Sequence, residues 1–248
     1  MGIIKTLNRK FLKIRDLSSF KKNLNLNGKK IIITGCNSGI GLSLLKKTFS
    51  SNKILAFVNE RNDEVKKLLI NDGEIVKCDF SNLENIIKYQ ELITKFNANL
   101  IINCAATFGN EENEVEKIDL IEYQKVINTN VLSQFALIQY SLRSNSLETI
   151  INISSEMGSS TSNKKGGYYF YRTTKAFLNS ISKNLSIELV NKKINIFCIH
   201  PGSVKTKLNS GGLISPEIAA QKIINICVKN KKNFSGMFID IDEKILDW

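Results

Sequence analysis

The chain has only two prolines, one tryptophan and one histidine in 248 residues, and its five cysteines include no C-x-x-C pair. A solitary His200 cannot build a zinc site, which needs three or four protein ligands; it reads as a loop histidine beside Pro201. Cys36, Cys78, Cys104, Cys198 and Cys227 lack the spacing of a metal site or a disulfide framework. Four of them lie in or beside apolar, strand-like runs, as buried reduced thiols of a cytoplasmic protein do. No repeat, linker or low-complexity segment divides residues 28–248. No apolar stretch approaches the length of a transmembrane helix, and none forms a signal-peptide core with a small-residue cleavage site, so a cytoplasmic location is expected.

Acidic residues are also scarce, 23 Asp and Glu facing 35 Lys and Arg for a formal net charge of +12. Such an excess raises nucleic acid or an anionic surface as a partner. Nucleic acid is not expected, because the lysines are scattered through a composition generally rich in Lys, Asn and Ile, and aromatic residues are not interleaved with them. Charge gathers in one place only. Residues 1–27 carry Lys5, Arg9, Lys10, Lys13, Arg15, Lys21 and Lys22 against Asp16, with Ile4, Leu7, Phe11, Ile14 and Leu17 at helical spacing. This basic N-terminal extension reads as a short amphipathic helix, either in weak contact with a membrane surface or partner or packed on the body of the protein.

Hydrophobic residues make up 42% of the chain, ample for one large core. From Lys29 onward, β-branched runs alternate with longer amphipathic segments. The pattern predicts strands at 31–34, 54–58, 74–78, 100–104, 149–154, 194–200 and 237–240. Helices are predicted near 40–51, 63–71, 82–96, 119–143, 171–190 and 216–230. Regular alternation of this kind implies an α/β fold with a parallel sheet covered on both faces and right-handed crossovers. Ligands of such sheets bind beyond the carboxyl ends of the strands, so the residues just after each strand are the ones to inspect.

The first strand runs into TGCNSGIG, Thr34 to Gly41, and straight on into a helix. A glycine-rich turn there brings backbone close to a pyrophosphate and aims helix N-terminal N–H groups at it. Gly35, Asn37, Ser38, Gly39, Ile40 and Gly41 are the candidate residues, Ser38 adding a hydroxyl. The second strand is followed by Asn59, Glu60, Arg61 and Asn62, where an adenosine ribose would be read. An acidic group there favours NAD(H) and a basic one NADP(H); both are present, and Arg61 tips the expectation slightly to NADP(H). After the third strand, Asp79 beside Phe80 is placed to accept from an adenine amino group, or else to cap the next helix in competition with Ser81. The fourth strand ends in Asn103, Cys104, Ala105 and Ala106, with Asn103 and Ala105 as cofactor candidates. The fifth presents Ser154 and Ser155; after the sixth, Pro201 and Gly202 turn the chain, and Val204 and Thr206 are within reach of a nicotinamide amide.

Tyr171 and Lys175 lie four residues apart in YYFYRTTKAF, on one face of a predicted helix. A tyrosine of pKa near 10 needs about 3 to 4 kcal/mol to titrate near neutrality. One cation about 4 Å away supplies on the order of 4 kcal/mol at an effective dielectric of 20. By spacing alone, then, the lysine can activate the phenol.

With these residues assembled, the chain over residues 28–248 resembles the short-chain dehydrogenase/reductase family, and within it the C-factor and sniffer-like branch. The resemblance rests on TGCNSGIG, Cys78-Asp79, NCAA, Asn130 in NTNVLSQF, NISS at 152–155, YRTTK at 171–175, PGSVKT at 201–206 and the ending SGMFIDIDEKILDW. It implies a single-domain Rossmann fold with a doubly wound, parallel seven-stranded sheet, preceded by the 1–27 extension. It further implies an NAD(P)(H)-dependent oxidoreductase interconverting a carbonyl and a secondary alcohol. Tyr171 would be the general acid/base. Lys175 would lower its pKa and bind the nicotinamide ribose, Ser155 would hold the substrate oxygen, and Asn130 would hold a water linking Lys175 to solvent. Family members pair through the helices matching 119–143 and 171–190, which implies a homodimer or homotetramer. The other reading is a catalytically silent nucleotide-binding regulatory or scaffold protein of the same fold. Residues 207–217 are expected to form a mobile lid, and the want of large apolar groups there, with no aromatic wall in view, points to a small or polar substrate.

Overall fold

The computed structural model describes residues 26–60, 63–68, 73–110, 114–229 and 234–248. Seven strands form one parallel sheet: β1 (Lys30–Thr34), β2 (Lys53–Val58), β3 (Gly73–Lys77), β4 (Leu100–Asn103), β5 (Thr149–Ile153), β6 (Asn195–His200) and β7 (Phe238–Asp240). Each falls within one residue of the sequence expectation at both ends. Their order is β3-β2-β1-β4-β5-β6-β7, so the direction of winding reverses between β1 and β4. The crevice that such a reversal opens above the strand ends is where a ligand can enter.

Side chains alternate across the sheet with period two, and the sequence provides an apolar group at nearly every position. Ile31, Ile33, Ile54, Ala56, Ile102, Ile151 and Ile199 join the core on one face, with Leu44, Leu45, Ile223 and Ile226 from the helices. Ile32, Leu55, Phe57, Ile101, Ile150 and Ile196 point to the opposite core, against Ile93, Phe96, Leu137, Ile138 and Leu185. The helices that cover these faces are α1 (Gly39–Thr48), α2 (Asp63–Leu68), α3 (Leu83–Ile87), α4 (Gln90–Phe96), α5 (Leu120–Ile127), α6 (Ser133–Ser141), α7 (Tyr169–Glu188) and α8 (Pro216–Lys229).

Two predicted helices are broken. The segment expected over 82–96 divides into α3 and α4 at Tyr89, and α3 is capped by Asn82, whose Oδ1 accepts from the Glu84 N–H at 3.0 Å. Neither Asp79 nor Ser81 provides that cap. The segment expected over 119–143 passes through a π-helical turn at Asn128–Leu132 between α5 and α6. Polar side chains on and beside this turn bind the strand ends: Asn128 Nδ2 donates to the Ser81 carbonyl at 2.7 Å, and Ser133 Oγ to the Phe80 carbonyl at 3.0 Å. A π turn fits a place where side-chain bonds to neighbouring segments compete with the regular ladder. The basic amphipathic segment read over residues 1–27 lies, up to residue 25, outside the described residues. Among the described residues, no helix is long and apolar enough to cross a membrane.

Candidate active site

The glycine-rich turn is close-packed backbone. Gly35 has φ +72°, and a Cβ there would sit 2.9 Å from the main chain of Ala105. Gly39 has φ +57°, and a Cβ on Gly41 would lie 2.2 Å from the Gly35 carbonyl oxygen. Side chains are therefore excluded for steric reasons at both ends of the turn. Thr34 ties the turn to the neighbouring strand, its Oγ1 accepting from the Cys104 and Ala105 N–H groups at 2.9 and 3.0 Å. Ser38 stands at the N-cap of α1 without making a side-chain cap bond. Asn37 reaches across to β2: its Oδ1 accepts from the Asn59 N–H at 2.7 Å and its Nδ2 donates to the Glu60 carbonyl. Arg61, the basic half of the expected ribose reader, lies outside the described residues.

A cleft of about 1100 Å³ opens above the strand ends. All the described candidate residues except Asn103 and Asn130 line it: the glycine-rich turn, Asp79, Phe80, Ala105, Ser155, Tyr171, Lys175, Pro201, Gly202, Val204 and Thr206. Asp79 is folded into a local turn, its Oδ1 accepting from the Ser81 N–H at 2.9 Å.

Asn103 is fully buried and donates through Nδ2 to Asn152 Oδ1 at 2.8 Å. The sheet register decides this, because Asn103 shares the parity of Ile101 and so points at the face covered by α6 and α7. Asn152 continues the chain of bonds to Ser182 Oγ at 2.7 Å. Asn130 is fully buried in the π turn. Both ends of its amide are engaged: Oδ1 accepts from the Thr107 N–H at 2.8 Å, while Nδ2 donates to the Thr107 carbonyl at 2.9 Å and to Thr174 Oγ1 at 3.0 Å.

Ser155, Tyr171 and Lys175 meet where β5 faces α7. Gly158 allows this approach, since a Cβ on it would come within 2.7 Å of the Lys175 backbone. The Ser155 hydroxyl lies close enough to the Tyr171 hydroxyl to influence its titration, and its Oγ accepts from the Met157 N–H at 3.1 Å. Lys175, 2% exposed, donates from Nζ to the Ile153 carbonyl at 2.8 Å, and that Nζ lies 5.5 Å from the centre of the Tyr171 ring. Burial pushes the Tyr171 hydroxyl up to about 12, with the Ser155 hydroxyl working in the opposite direction. Burial brings Lys175 down to about 8. Dehydration therefore outweighs the activation expected from the four-residue spacing: the Tyr171 hydroxyl is raised, and the Lys175 ammonium is engaged by the Ile153 carbonyl.

The expectation of no aromatic wall is also overturned. Phe108 packs over Tyr171 with ring centres 4.1 Å apart, and Tyr168 flanks Phe108 at 6.0 Å. Tyr168 has φ +51° just before α7, a left-handed conformation uncommon for a non-glycine residue. No periodicity marks a loop residue that folds back over the site, so neither was a candidate. Gly212, within the lid expected over 207–217, is close-packed. A Cβ on it would lie 2.2 Å from Val204, and Leu213 and Ile214 donate their N–H groups to the Ser203 carbonyl, closing residues 203–214 on themselves. Among the described residues no cluster of three His, Cys, Asp or Glu forms a metal site.

A dinucleotide fits this crevice: the glycines leave a cradle at the helix N-terminus, Ser38 offers a hydroxyl with no cap bond, and small Ala105 and Ala106 lie on the wall leading to Tyr171. Comparison with known proteins agrees. The profile of the short chain dehydrogenase family matches residues 29–212, and the chain belongs to that family. It is 31% identical over 199 residues to the 3-oxoacyl-(acyl-carrier-protein) reductase FabG of Buchnera aphidicola, covering 75% of this chain and 80% of that protein. A tropinone reductase homolog of Arabidopsis thaliana is 27% identical over 258 residues, covering 89% and 93%. The carbonyl reductase Sniffer of D. melanogaster superposes with a TM-score of 0.80 at 25% identity, covering 90% of this chain and all of that one. The protein is an NAD(P)-dependent oxidoreductase.

Proposed function

We propose that the protein interconverts a carbonyl compound and a secondary alcohol, with Tyr171 as the general acid/base and with NADP(H) preferred to NAD(H). The observation that carries this reading is the meeting of Ser155, Tyr171 and Lys175 on the wall of the cleft that also contains the glycine cradle. The bound nicotinamide supplies or accepts the hydride. In reduction Tyr171, kept protonated by burial, gives its proton to the carbonyl oxygen, and the Ser155 hydroxyl binds that oxygen as charge develops on it. In oxidation Tyr171 would first lose its own proton to solvent and then, as phenolate, take the alcohol proton, a step that its raised pKa makes harder at neutral pH. Lys175, fixed on the Ile153 carbonyl and still cationic at neutral pH, holds the nicotinamide ribose hydroxyls. Asn130 positions the site by clamping the Thr107 loop to α7, and it would hold the water that links Lys175 to solvent.

The NADP(H) preference rests on Arg61, which follows the Asn59–Glu60 backbone that Asn37 anchors. Residues 28–248 act as one catalytic unit with residues 1–27 as an accessory extension, in the cytoplasm. Exposed Leu120 and Ile121 on α5 and Phe177 and Ile187 on α7 support a homodimer or homotetramer formed through these helices. Titration with NADPH and NADH, followed by nucleotide fluorescence, tests the reading, which fails if neither binds. Tyr171→Phe should retain nucleotide binding and lose turnover by about 10²- to 10⁴-fold; full turnover would remove the acid assignment.

A further inference from the structure

Arg172 is a cation on the cleft wall for which the fold supplies little. It follows Tyr171 on the first turn of α7 and lines the cleft. Among the described residues its side chain makes one hydrogen bond, a long one from Nη1 to the Met157 carbonyl at 3.4 Å. Its Nε, shielded from solvent, meets no acceptor among the described residues. Because Nε is shielded from the cleft, the donors left for a ligand are those of the terminal Nη groups. Three carboxylates line the cleft with it: Asp79 accepts from the Ser81 N–H at 2.9 Å, Glu122 pairs with Lys125 at 3.5 Å, and Glu156 Oε2 lies 4.0 Å from His200 Nε2. Among the described residues no carboxylate forms an ion pair with Arg172. Lys165 and Lys207 line the same cleft and are exposed, adding positive charge that no salt bridge among the described residues neutralises.

We infer that the substrate is an anionic carbonyl compound whose carboxylate or phosphate is bound by Arg172 beside the reacting centre. This deepens the oxidoreductase reading above and rests on it. A planar guanidinium suits such an oxyanion, since it can donate two parallel N–H bonds to a carboxylate or phosphate. Phe108 and Tyr168 on the adjoining wall provide an apolar surface for the body of the molecule. The neighbouring lysines steer an anion to the mouth, an effect that salt screens.

The test measures ligand binding to the full chain saturated with NADP⁺, so that it does not depend on turnover. The probes are 4-acetylbenzoate, 4-acetylphenyl phosphate and the neutral methyl 4-acetylbenzoate, followed by calorimetry. The expected result is tighter binding of at least one anion than of the ester, by about 10-fold or more, with the advantage shrinking as salt rises. The anion that gains more identifies whether carboxylate or phosphate is the natural group. Arg172→Gln should collapse the anion-to-ester ratio and Arg172→Lys restore part of it. Equal binding of all three probes by the wild type, binding of none, or a variant that weakens anion and ester in the same proportion would overturn the inference. Loss of NADP⁺ binding is seen before any probe is added and counts against the oxidoreductase reading instead.

Discussion

Replacing Lys175 by Met should remove a pH dependence of stability that the fold imposes on this one side chain. Lysine titrates near 10.5 in an unfolded chain, and burial brings Lys175 down to about 8. Below pH 8 both states carry the proton, so the residue adds no slope. Between pH 8 and 10.5 the unfolded chain binds more protons than the native one, so stability rises with pH in this window. At about 1.4 kcal/mol per pH unit, the interval amounts to about 3 kcal/mol. Urea unfolding of wild type and Lys175→Met at half-unit steps from pH 7 to 11 isolates the effect, because all other titrations are shared by the pair. The wild type should gain about 3 kcal/mol relative to the variant across the window and show a level difference on either side. A difference that stays flat, or one that falls with pH, would show that the ammonium is adequately solvated and would refute the argument from burial. The variant should also lose turnover while keeping its fold.

Gly41→Ala should weaken NADPH binding by roughly tenfold or more, since the new methyl meets the Gly35 carbonyl oxygen at 2.2 Å and the turn must shift to admit it; fluorescence titration reads this, and an unchanged affinity would exclude a role for this turn in binding. Thr34→Val keeps the shape but removes the acceptor of the Cys104 and Ala105 N–H groups, at a cost of about 2 kcal/mol and thus roughly 4 to 8 °C in Tm by calorimetry. Leu120→Glu with Ile121→Glu, at positions 72% and 71% exposed in the single chain, should convert an oligomer to monomer by light scattering; an unchanged mass would place any interface elsewhere.

Sequence and structure agree wherever the signal is local. The strands were legible because isoleucine-rich runs alternate with amphipathic segments, and the turn at Gly35–Gly41 because only glycine tolerates such crowding of backbone. Asn103 was misread since its motif position says nothing about parity: the register with Asn152 sends the side chain into the α6–α7 face and away from the cleft. The helix through Asn130 was read as continuous since its periodicity is helical; the break comes from bonds to Ser81 and Phe80, residues about fifty positions earlier in the chain. Phe108 and Tyr168 escaped notice because loop residues carry no periodic mark of where they fold.

By itself, then, the sequence determined the parallel sheet, the order of groups along the strand ends and the four-residue step from Tyr171 to Lys175, all of which follow from periodicity, turn chemistry and helical geometry over short stretches of chain. The tertiary structure decided what those groups are like as chemistry. Only the packing of α7 on β5 turns Lys175 to the Ile153 carbonyl and dehydrates both members of the pair. Only the return of the loops over the strand ends sets Phe108 against Tyr171 and leaves Arg172 without a carboxylate partner among the described residues. Desolvation depends on atoms contributed from many distant places in the chain, and a spacing rule cannot contain it.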